Sequence, residues 1–561
     1  MTLADRLDRL GGGWRGPALA ALIALIGALP GALALPTLDR DEARFAEASA
    51  QMLESGDLVT IHFQDAPRFK KPVGIYWLQA AAVRTLSHVE DRAIWAYRVP
   101  SLLGAMLAAA ACAWGAAAFL RPGLSLSAGA MLGASFMLST EGFIAATDAV
   151  LAGAVTLAMA ALGRLYLASR GGAPAGWRVK ALFWVAVALS VLVKGPIGPL
   201  VIVLTLIALC VWDRSGRWLG GLGWGWGLIF LALVLGPWAM AITVATDGAF
   251  WGAAVGGDLA PKLIGGQEGH AAPPGYYALL APLMLFPACL LAPAGLVAGW
   301  KSRAEPGVRF ALCWLIPSWI FFEILPTKLI HYTLPLLGAF AWLMAGALAQ
   351  PIGRVSRLAG AAVFILVAIL LAGAGPAAMS TLNDWSGAPW AVVAGLLFLA
   401  AGVAGAALLA RGAAPTRALL VSGVLGLAGH AVLTGGLAPS LTPIWLSDRV
   451  AAALARAGAS PRQGVADGPV TVAGYEEPSL VFALGATTEL GDGADAAEAI
   501  AENRPAIVES RQGPAFQRAL VEDGVQARAS GEVAGLDYSN NRHDILNIYR
   551  PLPDAANTAG P

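Results

Sequence analysis

The chain has 561 residues, of which 57% are hydrophobic and only 13% are charged, and its formal net charge is +1. A mean hydropathy of +0.66 excludes an ordinary soluble globular protein, and balanced charge without a basic patch argues against a nucleic-acid partner. The four cysteines all lie within apolar runs, so their spacing predicts neither a disulfide framework nor a cysteine metal site.

Apolar runs long enough to cross a bilayer recur along the chain, and one crossing needs about 20 residues of helix. These runs predict a polytopic α-helical membrane protein with about thirteen transmembrane helices. The predicted spans are 17–35, 98–119, 124–142, 147–168, 180–193, 196–212, 222–245, 276–299, 309–325, 329–349, 358–378, 388–410 and 418–437.

The basic residues predict the orientation of these spans, because short loops rich in Lys and Arg stay in the cytoplasm. The N-terminus and every second connection are basic. The opposite face then carries residues 36–97, the turn at Asp148, the loop 246–275 and the C-terminal segment. We therefore expect a multi-pass protein of the bacterial inner membrane whose charged first loop faces the periplasm.

The composition changes after about residue 438 to a polar, alternating pattern. Residues 446–458 and 478–485 are helix-like, whereas 469–473, 505–509 and 544–550 are strand-like. The sequence therefore predicts a transmembrane domain over 1–438 and a small soluble α/β domain over 439–561, on the periplasmic side.

Carboxylates follow the first span directly, in the run Leu38-Asp39-Arg40-Asp41-Glu42. Ionised groups at a membrane surface cost least in water or a cavity and usually indicate a functional site. Asp41 is the best candidate for a general base, and Glu42 is a second catalytic candidate. The alternative role for Asp41 is to cap the helix predicted over 41–54, and the two roles can coexist.

Cations accompany these carboxylates and could form one pocket for a phosphate or pyrophosphate group. Snorkelling of single lysines to the interface is the alternative. The candidates for phosphate binding are Arg44, Arg68, Lys70, Lys71, Lys194, Lys328, His331 and Tyr332.

Asp148 begins a span on the outward side and could cap that helix or bind a substrate hydroxyl; Glu141 and Glu323 are similar. Phe45, Tyr76 and Asp148 are the candidates for substrate binding. The loop 246–275 has the length of a lid or a disordered segment, and its polar residues include Asp258, Lys262, Gln267, Glu268 and His270. None of His62, His270 and His331 shows a metal-ligand spacing on one helix, so no metal site is predicted.

The first loop resembles the signature of membrane glycosyltransferases that use a polyprenyl-phosphate sugar donor. The resemblance is to the bacterial aminoarabinose and galacturonic acid transferases of lipid A and, more distantly, to protein O-mannosyltransferases. The matching motifs are Asp41 to Glu47, Gly56-Asp57, Phe69 to Trp77, Arg98 to Ser101, Thr147-Asp148, Lys194 to Pro196, Gly236 to Trp238, Lys328 to Pro335 and, in the tail, Gly474-Tyr475.

The resemblance implies a GT-C fold and an inverting transfer from a polyprenyl-phosphate sugar to lipid A, another glycolipid or a protein. It implies that Asp41 is the essential carboxylate and that Arg44 and Lys71 serve the lipid phosphate. The chain departs from the aminoarabinose enzymes at Lys70, where an acidic residue is expected, and at Phe45, where a tyrosine is expected. These changes remove a possible zinc ligand, so no cofactor is predicted firmly and a divalent metal stays open.

Two other functions fit a membrane protein of this composition. A lipid-linked sugar flippase would place its site near the bilayer midplane between related halves, whereas this charge is concentrated at one surface and no repeat is visible. A non-catalytic assembly subunit would not need the intact set of Asp41, Arg44 and Lys71.

Overall fold

The computed structural model describes residues 2–261, 271–412, 415–461 and 469–552. Helices dominate the chain up to residue 456. They are Leu3–Gly11, Arg15–Ala34, Asp41–Ser55, Gly74–Leu86, Ile94–Ala116, Pro122–Gly133, Phe136–Glu141, Asp148–Ala168, Trp177–Lys194, Ile197–Asp213, Trp224–Ala245, Ala249–Trp251, Tyr276–Met284, Ala292–Lys301, Pro306–Ile324, Leu337–Ala347, Arg354–Leu382, Ala388–Ala410, Pro415–Val432, Ala438–Ser440 and Leu446–Arg456. The loop after the first span also forms a two-residue hairpin of β1 (His62–Phe63) and β2 (Ala66–Pro67).

Within the described ranges, nine helices are long and apolar enough to span a membrane, or up to ten if one bent pair is a single span. This supports a polytopic membrane protein, but the number thirteen stays a prediction. The predicted span 124–142 is interrupted between Pro122–Gly133 and Phe136–Glu141. The predicted span 276–299 is broken, with an angle of 114° between its two parts.

Small residues bring the helices Ile94–Ala116 and Asp148–Ala168 together. A Cβ atom on Gly104 would lie 2.6 Å from the Cα atom of Val150, and one on Gly153 would lie 2.6 Å from the carbonyl oxygen of Gly104. Association in a membrane depends on such close backbone approach. This contact fixes the helix that begins at Asp148 against the helix that carries Arg98.

The connections rich in Arg meet through an acidic residue. Asp213 accepts hydrogen bonds from Tyr166 at 2.9 Å and from the guanidinium groups of Arg170 and Arg309. Arg121 pairs with Asp8 of the N-terminal helix at 2.6 Å. These contacts join several loops for which the sequence predicts one cytoplasmic face.

The C-terminal segment forms a five-stranded sheet in the order β4-β3-β5-β7-β6. Its strands are β3 (Thr471–Ala473), β4 (Glu489–Gly491), β5 (Ala506–Glu509), β6 (Ala527–Asp537) and β7 (Arg542–Pro551). β3 runs parallel to β4 and β5, and β7 runs antiparallel to β5 and β6. The helices Pro478–Leu484, Gly493–Ala501 and Gly513–Glu522 lie between the strands in sequence. The division of the chain into domains at 438/439 stays a prediction.

Candidate active site

Asp41 is the first residue of the helix Asp41–Ser55, which we call the first-loop helix. The N-cap position belongs to Arg40, so the prediction that Asp41 caps this helix is wrong. The Asp41 side chain is 70% exposed and lies 3.9 Å from the Arg68 guanidinium. A carboxylate in the first helical turn is stabilised by the helix dipole and, when exposed, can reach a substrate. Asp41 therefore has the placement that a general base requires.

Glu42, one residue later, has a structural task. Its two carboxylate oxygens accept bidentate hydrogen bonds from Arg98 at 2.9 and 2.7 Å, and both side chains are fully buried. The same oxygens accept from the backbone N–H groups of Leu38 and Ala145. Because all these bonds saturate the carboxylate, we correct the expectation that Glu42 takes part in catalysis.

Three predicted residues lie in contact with one another, and one of them, Arg68, lies beside Asp41. The Arg68 guanidinium lies 5.2 Å from the ring centre of Phe45, and that ring lies 5.5 Å from the ring of Tyr76. Phe45 and Tyr76 are buried, and the Tyr76 hydroxyl is within electrostatic reach of Arg68 and Asp41. These aromatics position the Arg68 charge next to the carboxylate.

Lys71 forms an ion pair with Asp258, with 2.7 Å between Nζ and the carboxylate oxygen. Asp258 lies on the π-helical turn Gly252–Leu259 of the predicted lid loop. Arg44, Arg68 and Lys70 line an open groove of about 420 Å³ that also includes Asp258. Four of the predicted cations therefore meet at one place. The other lid candidates, Lys262, Gln267, Glu268 and His270, lie outside the described residues.

A second polar group surrounds Asp148, at the start of its helix. Lys194 Nζ lies 2.5 Å from Asp148 Oδ1 and 5.7 Å from the centre of the Tyr332 ring. The two ring nitrogens of His331 lie 3.7 Å from Asp148 and 3.5 Å from Glu141. The Glu141 carboxylate also interacts electrostatically with Asp41, so this group lies near the start of the first-loop helix.

Lys328 does not join either group in the way that the sequence predicts. Its ammonium donates to the carbonyl oxygen of Glu323 at 2.8 Å and to that of Leu325, and the residue is buried. Burial lowers the pKa of Lys328. This lysine satisfies the last carbonyls of the helix Pro306–Ile324, a known role of lysine at helix ends. The hydrogen bonds therefore give Lys328 a structural role, and its assignment to phosphate binding stays a prediction.

Glu323 serves a neighbouring helix. Its carboxylate accepts from the N–H groups of Gly275 and Ala278, both at 2.9 Å, at the start of the helix Tyr276–Met284. The capping role that the sequence left open is therefore the one observed for Glu323.

Glu141, Asp148 and His331 each offer a ligand atom, and these atoms lie within 4.8 Å of one another. The donor types suit a divalent cation. The sequence predicts no metal site because the three residues come from separate segments and share no spacing. Lys194 already places a positive charge beside Asp148. A metal cation bound to the same carboxylate oxygen would therefore lie next to the Lys194 ammonium.

Sequence reasoning missed Arg98 as the partner of Glu42 and Asp258 as the partner of Lys71. It also assigned no task to Asp39. Ser479 donates to the Asp39 carboxylate, and burial raises the pKa of Asp39 to about 6. The available signal for Arg98 was a single arginine inside an apolar run, which needs a buried partner.

Comparison with known proteins supports the first-loop resemblance. The profile of the dolichyl-phosphate-mannose-protein mannosyltransferase family matches residues 19–250. The undecaprenyl phosphate-alpha-4-amino-4-deoxy-L-arabinose arabinosyl transferase of Pseudomonas paraeruginosa is 31% identical over 326 residues, which are 57% of each chain. Its counterpart numbered 2 in Proteus mirabilis is 26% identical over 316 residues, 54% of each chain. The matches thus span little more than half the length of these curated relatives.

Solved structures extend the similarity over the whole fold. ArnT from Cupriavidus metallidurans bound to undecaprenyl phosphate superimposes with a TM-score of 0.75 at 19% identity, covering 97% of this chain and 98% of that one. The Archaeoglobus fulgidus oligosaccharyltransferase tethered to an acceptor peptide gives a TM-score of 0.51 at 11% identity, covering 88% and 68%. These likenesses confirm the GT-C fold of a polytopic membrane protein.

Proposed function

We propose that this chain, which has the GT-C fold and resembles glycosyltransferases that use polyprenyl-phosphate sugars, is itself such a glycosyltransferase. It transfers a sugar from a polyprenyl-phosphate donor to lipid A or a related glycolipid. The observation that carries the proposal is an exposed carboxylate, Asp41, at a helix start beside a groove lined by Arg44, Arg68 and Lys70. The names of the similar arabinosyl transferases support this donor class.

The proposed reaction is a single inverting displacement at the anomeric carbon. Asp41 takes the proton of the acceptor hydroxyl, and the hydroxyl oxygen forms a bond to that carbon. The bond from the carbon to the phosphate oxygen breaks at the same time, and polyprenyl phosphate leaves with the electron pair. Its extra negative charge requires fixed cations at the leaving oxygen.

The cations of the groove supply that charge. Arg44 and Arg68 can hold phosphate oxygens with a planar fork, and Lys70 and Lys71 act as point charges. Lys71 is paired with Asp258, so an incoming phosphate takes the place of that carboxylate or shares the ammonium with it.

The group around Asp148 suits the sugar. Asp148, Glu141, Lys194 and His331 offer hydrogen-bond acceptors and donors at short spacing, and Tyr332 contributes an aromatic face. Glu141, Asp148 and His331 are the residues that would hold a divalent cation, which would supply Lewis acidity at this group. The proposed proton transfer to Asp41 is independent of that ion.

The second candidate is a lipid-linked sugar flippase. The position of the charged groups argues for the transferase, because they lie at helix ends and in loops and not at the middle of the spans. The alternation of basic connections supports an inner-membrane protein with this site on the periplasmic side. The segment 439–561 would then lie in the periplasm as a separate soluble domain.

The test is mass spectrometry of lipid A and total glycolipids from cells that lack the gene, complemented with wild type, Asp41→Asn or Asp41→Glu. We expect the sugar to be lost on deletion, to return with wild type and to stay absent with Asp41→Asn, because Asn cannot accept the proton. Asp41→Glu keeps the carboxylate and is the control for charge at this position.

Each other result has a defined meaning. Restoration by stably inserted Asp41→Asn contradicts the catalytic assignment and favours transport or scaffolding. An unchanged glycolipid profile on deletion contradicts the lipid acceptor, and the same comparison is then made on periplasmic glycoproteins. The orientation is checked with Ser530→Cys, which an impermeant thiol reagent should label from outside in spheroplasts. Labelling only after lysis would overturn the periplasmic placement.

A further inference from the structure

The backbone just before Asp41 is bound by the C-terminal segment. The Asp39 N–H group donates to the Tyr538 hydroxyl oxygen at 2.6 Å. The Arg40 guanidinium donates to the carbonyl oxygen of Ser539 and to the side-chain oxygen of Asn540, the latter at 3.3 Å. These three residues belong to the four-residue turn 538–541 between β6 and β7, which we call the hairpin turn.

The hairpin turn is closed by hydrogen bonds to Asp537. Asp537, at the end of β6, accepts from the backbone N–H of Asn540 at 3.1 Å and from its side-chain amide at 2.8 Å. Asp537 is almost fully buried. A turn closed by its own aspartate presents the Tyr538 hydroxyl and the Ser539 carbonyl at a set position.

A hydrogen-bonded chain reaches the Asp39 side chain from the same part of the protein. Tyr475 and Ser447 share a hydrogen bond of 2.9 Å, and Ser479 lies 2.6 Å from Ser447. Ser479 also contacts the Asp39 carboxylate. The backbone and the side chain of Asp39 are therefore both held.

Apolar contacts support this attachment. The helix Pro478–Leu484 packs on the first-loop helix, where Phe482 shares a buried cluster with Ala43 and Ala46. The Phe482 ring also lies 5.2 Å from the ring of Tyr97. The C-terminal segment thus contacts the first-loop helix on its buried face as well as at its start.

The backbone conformation of Arg40 is one that requires stabilising contacts from its surroundings. Its φ of 62° and ψ of −105° are disfavoured for a residue with a side chain, and the first-loop helix has no side-chain cap. Strained backbone of this kind persists only where the surroundings hold it, and it is concentrated at functional sites. The residue that follows is Asp41.

We propose that two residues of the C-terminal segment, Tyr538 of the hairpin turn and Ser479, are positioning residues. They hold the start of the first-loop helix so that Asp41 faces the groove. This inference rests on the proposed function only where it concerns turnover. That the C-terminal segment holds the backbone before Asp41 is a property of the folded protein and does not depend on the proposed function. The role is preorganisation, because a displaced carboxylate transfers a proton poorly even when substrates bind normally.

The experiment uses the full chain in detergent, with undecaprenyl phosphate-linked 4-amino-4-deoxy-L-arabinose as donor and lipid A as acceptor. Tyr538→Phe removes the acceptor of the Asp39 N–H and keeps the ring. We expect kcat to fall about five- to tenfold, the effect of one lost hydrogen bond, with the KM of each substrate within about twofold of wild type. Amide hydrogen exchange over residues 38–41 should become faster. The matched control is Tyr549→Phe, at the far end of β7, where the ring packs on Phe516 at 4.6 Å.

The outcomes separate the inference from the function. If amide hydrogen exchange over residues 38–41 is as slow in Tyr538→Phe as in wild type, the turn does not hold this backbone, whatever the activity of the variant. Faster exchange with unchanged kcat overturns the positioning role, and a raised acceptor KM with normal kcat identifies the hairpin turn as an acceptor contact instead. If wild type does not transfer this sugar to lipid A, that pair of donor and acceptor is excluded, while the exchange measurement still tests whether the C-terminal segment holds residues 38–41. Ser479→Ala, which should also speed exchange over 38–41, replaces Tyr538→Phe if that variant does not fold.

Discussion

Asp41 and Glu42 are neighbours in sequence but point to different environments, because successive helical residues are rotated by about 100°. Asp41 is turned to solvent beside Arg68. Glu42 is turned inward to Arg98 and to two backbone N–H groups. A charge in the interior is tolerated only with full hydrogen bonding, whereas an exposed one is free to meet a substrate.

This difference predicts opposite effects of two isosteric changes. Glu42→Gln leaves the buried Arg98 charge without its counter-charge, so we expect it to lower the free energy of unfolding by about 3–5 kcal/mol. Asp41→Asn should change it by about 0.5 kcal/mol or less, because its carboxylate is mostly exposed. Thermal unfolding of both variants in detergent measures the effect.

Equal melting temperatures for Glu42→Gln and wild type would contradict the structural role of Glu42. Loss of transfer in a fully stable Glu42→Gln protein would return this residue to the catalytic group.

At the scale of elements, the lid turn Gly252–Leu259 and the first loop meet through Lys71 and Asp258. The pairing places a carboxylate at the position where the proposed phosphate binds. Both side chains are less than one-fifth exposed, so their attraction is only partly screened by solvent.

We therefore predict that Lys71 and Asp258 affect donor use in opposite directions. Lys71→Ala should raise the KM for the donor about 10- to 100-fold, the cost of a lost charge-assisted hydrogen bond. Asp258→Asn should lower that KM, because the phosphate no longer competes with a carboxylate. Initial rates at varied donor concentration measure both effects.

The control is Lys301→Ala, which removes a lysine at the end of the helix Ala292–Lys301, in a connection predicted to be cytoplasmic. A donor KM that rises equally in Lys301→Ala and Lys71→Ala would show a general charge effect and not a binding site.

At the scale of the molecule, acidic groups lie where the C-terminal segment meets the first loop. Burial raises the pKa of Asp39 to about 6 and that of Glu477 to about 7. The two carboxylates also lie near each other and near Asp537, while Arg40 opposes these charges and Ser479 donates to the Asp39 carboxylate. The folded protein therefore binds protons on Asp39 and Glu477 more tightly than the unfolded chain does.

The sign of the pH dependence follows from these raised pKa values. Between about pH 4 and pH 7 the folded state holds more protons than the unfolded state, so stability falls as pH rises through this window. We expect the melting temperature to be higher at pH 5.5 than at pH 8, and Asp39→Asn with Glu477→Gln to flatten that slope. An unchanged slope in the double variant would place the pH dependence elsewhere.

Much of the architecture was readable from composition and spacing. Long apolar runs must form helices in a bilayer, because unpaired backbone groups are too costly there, and this predicts the polytopic fold. The helices at 446–456 and 478–484 and the strands at 471–473, 506–509 and 542–551 fall close to the predicted ones. The number of spans was harder to predict. A break in a helix, such as the one between Gly133 and Phe136, leaves the apolar run in the sequence uninterrupted.

The sequence by itself determined the membrane class, the charged first loop and the set of residues with suitable chemistry, because residue type and periodicity are local properties. Only the tertiary structure decided which of those residues share a site. It paired Glu42 with Arg98 and Lys328 with helix-end carbonyls, and it brought Asp258 to Lys71 and Tyr538 to Asp39. These pairs join segments from 56 to 499 positions apart, except for the local contacts of Lys328. Partners so distant are selected by packing and burial, which no local pattern records.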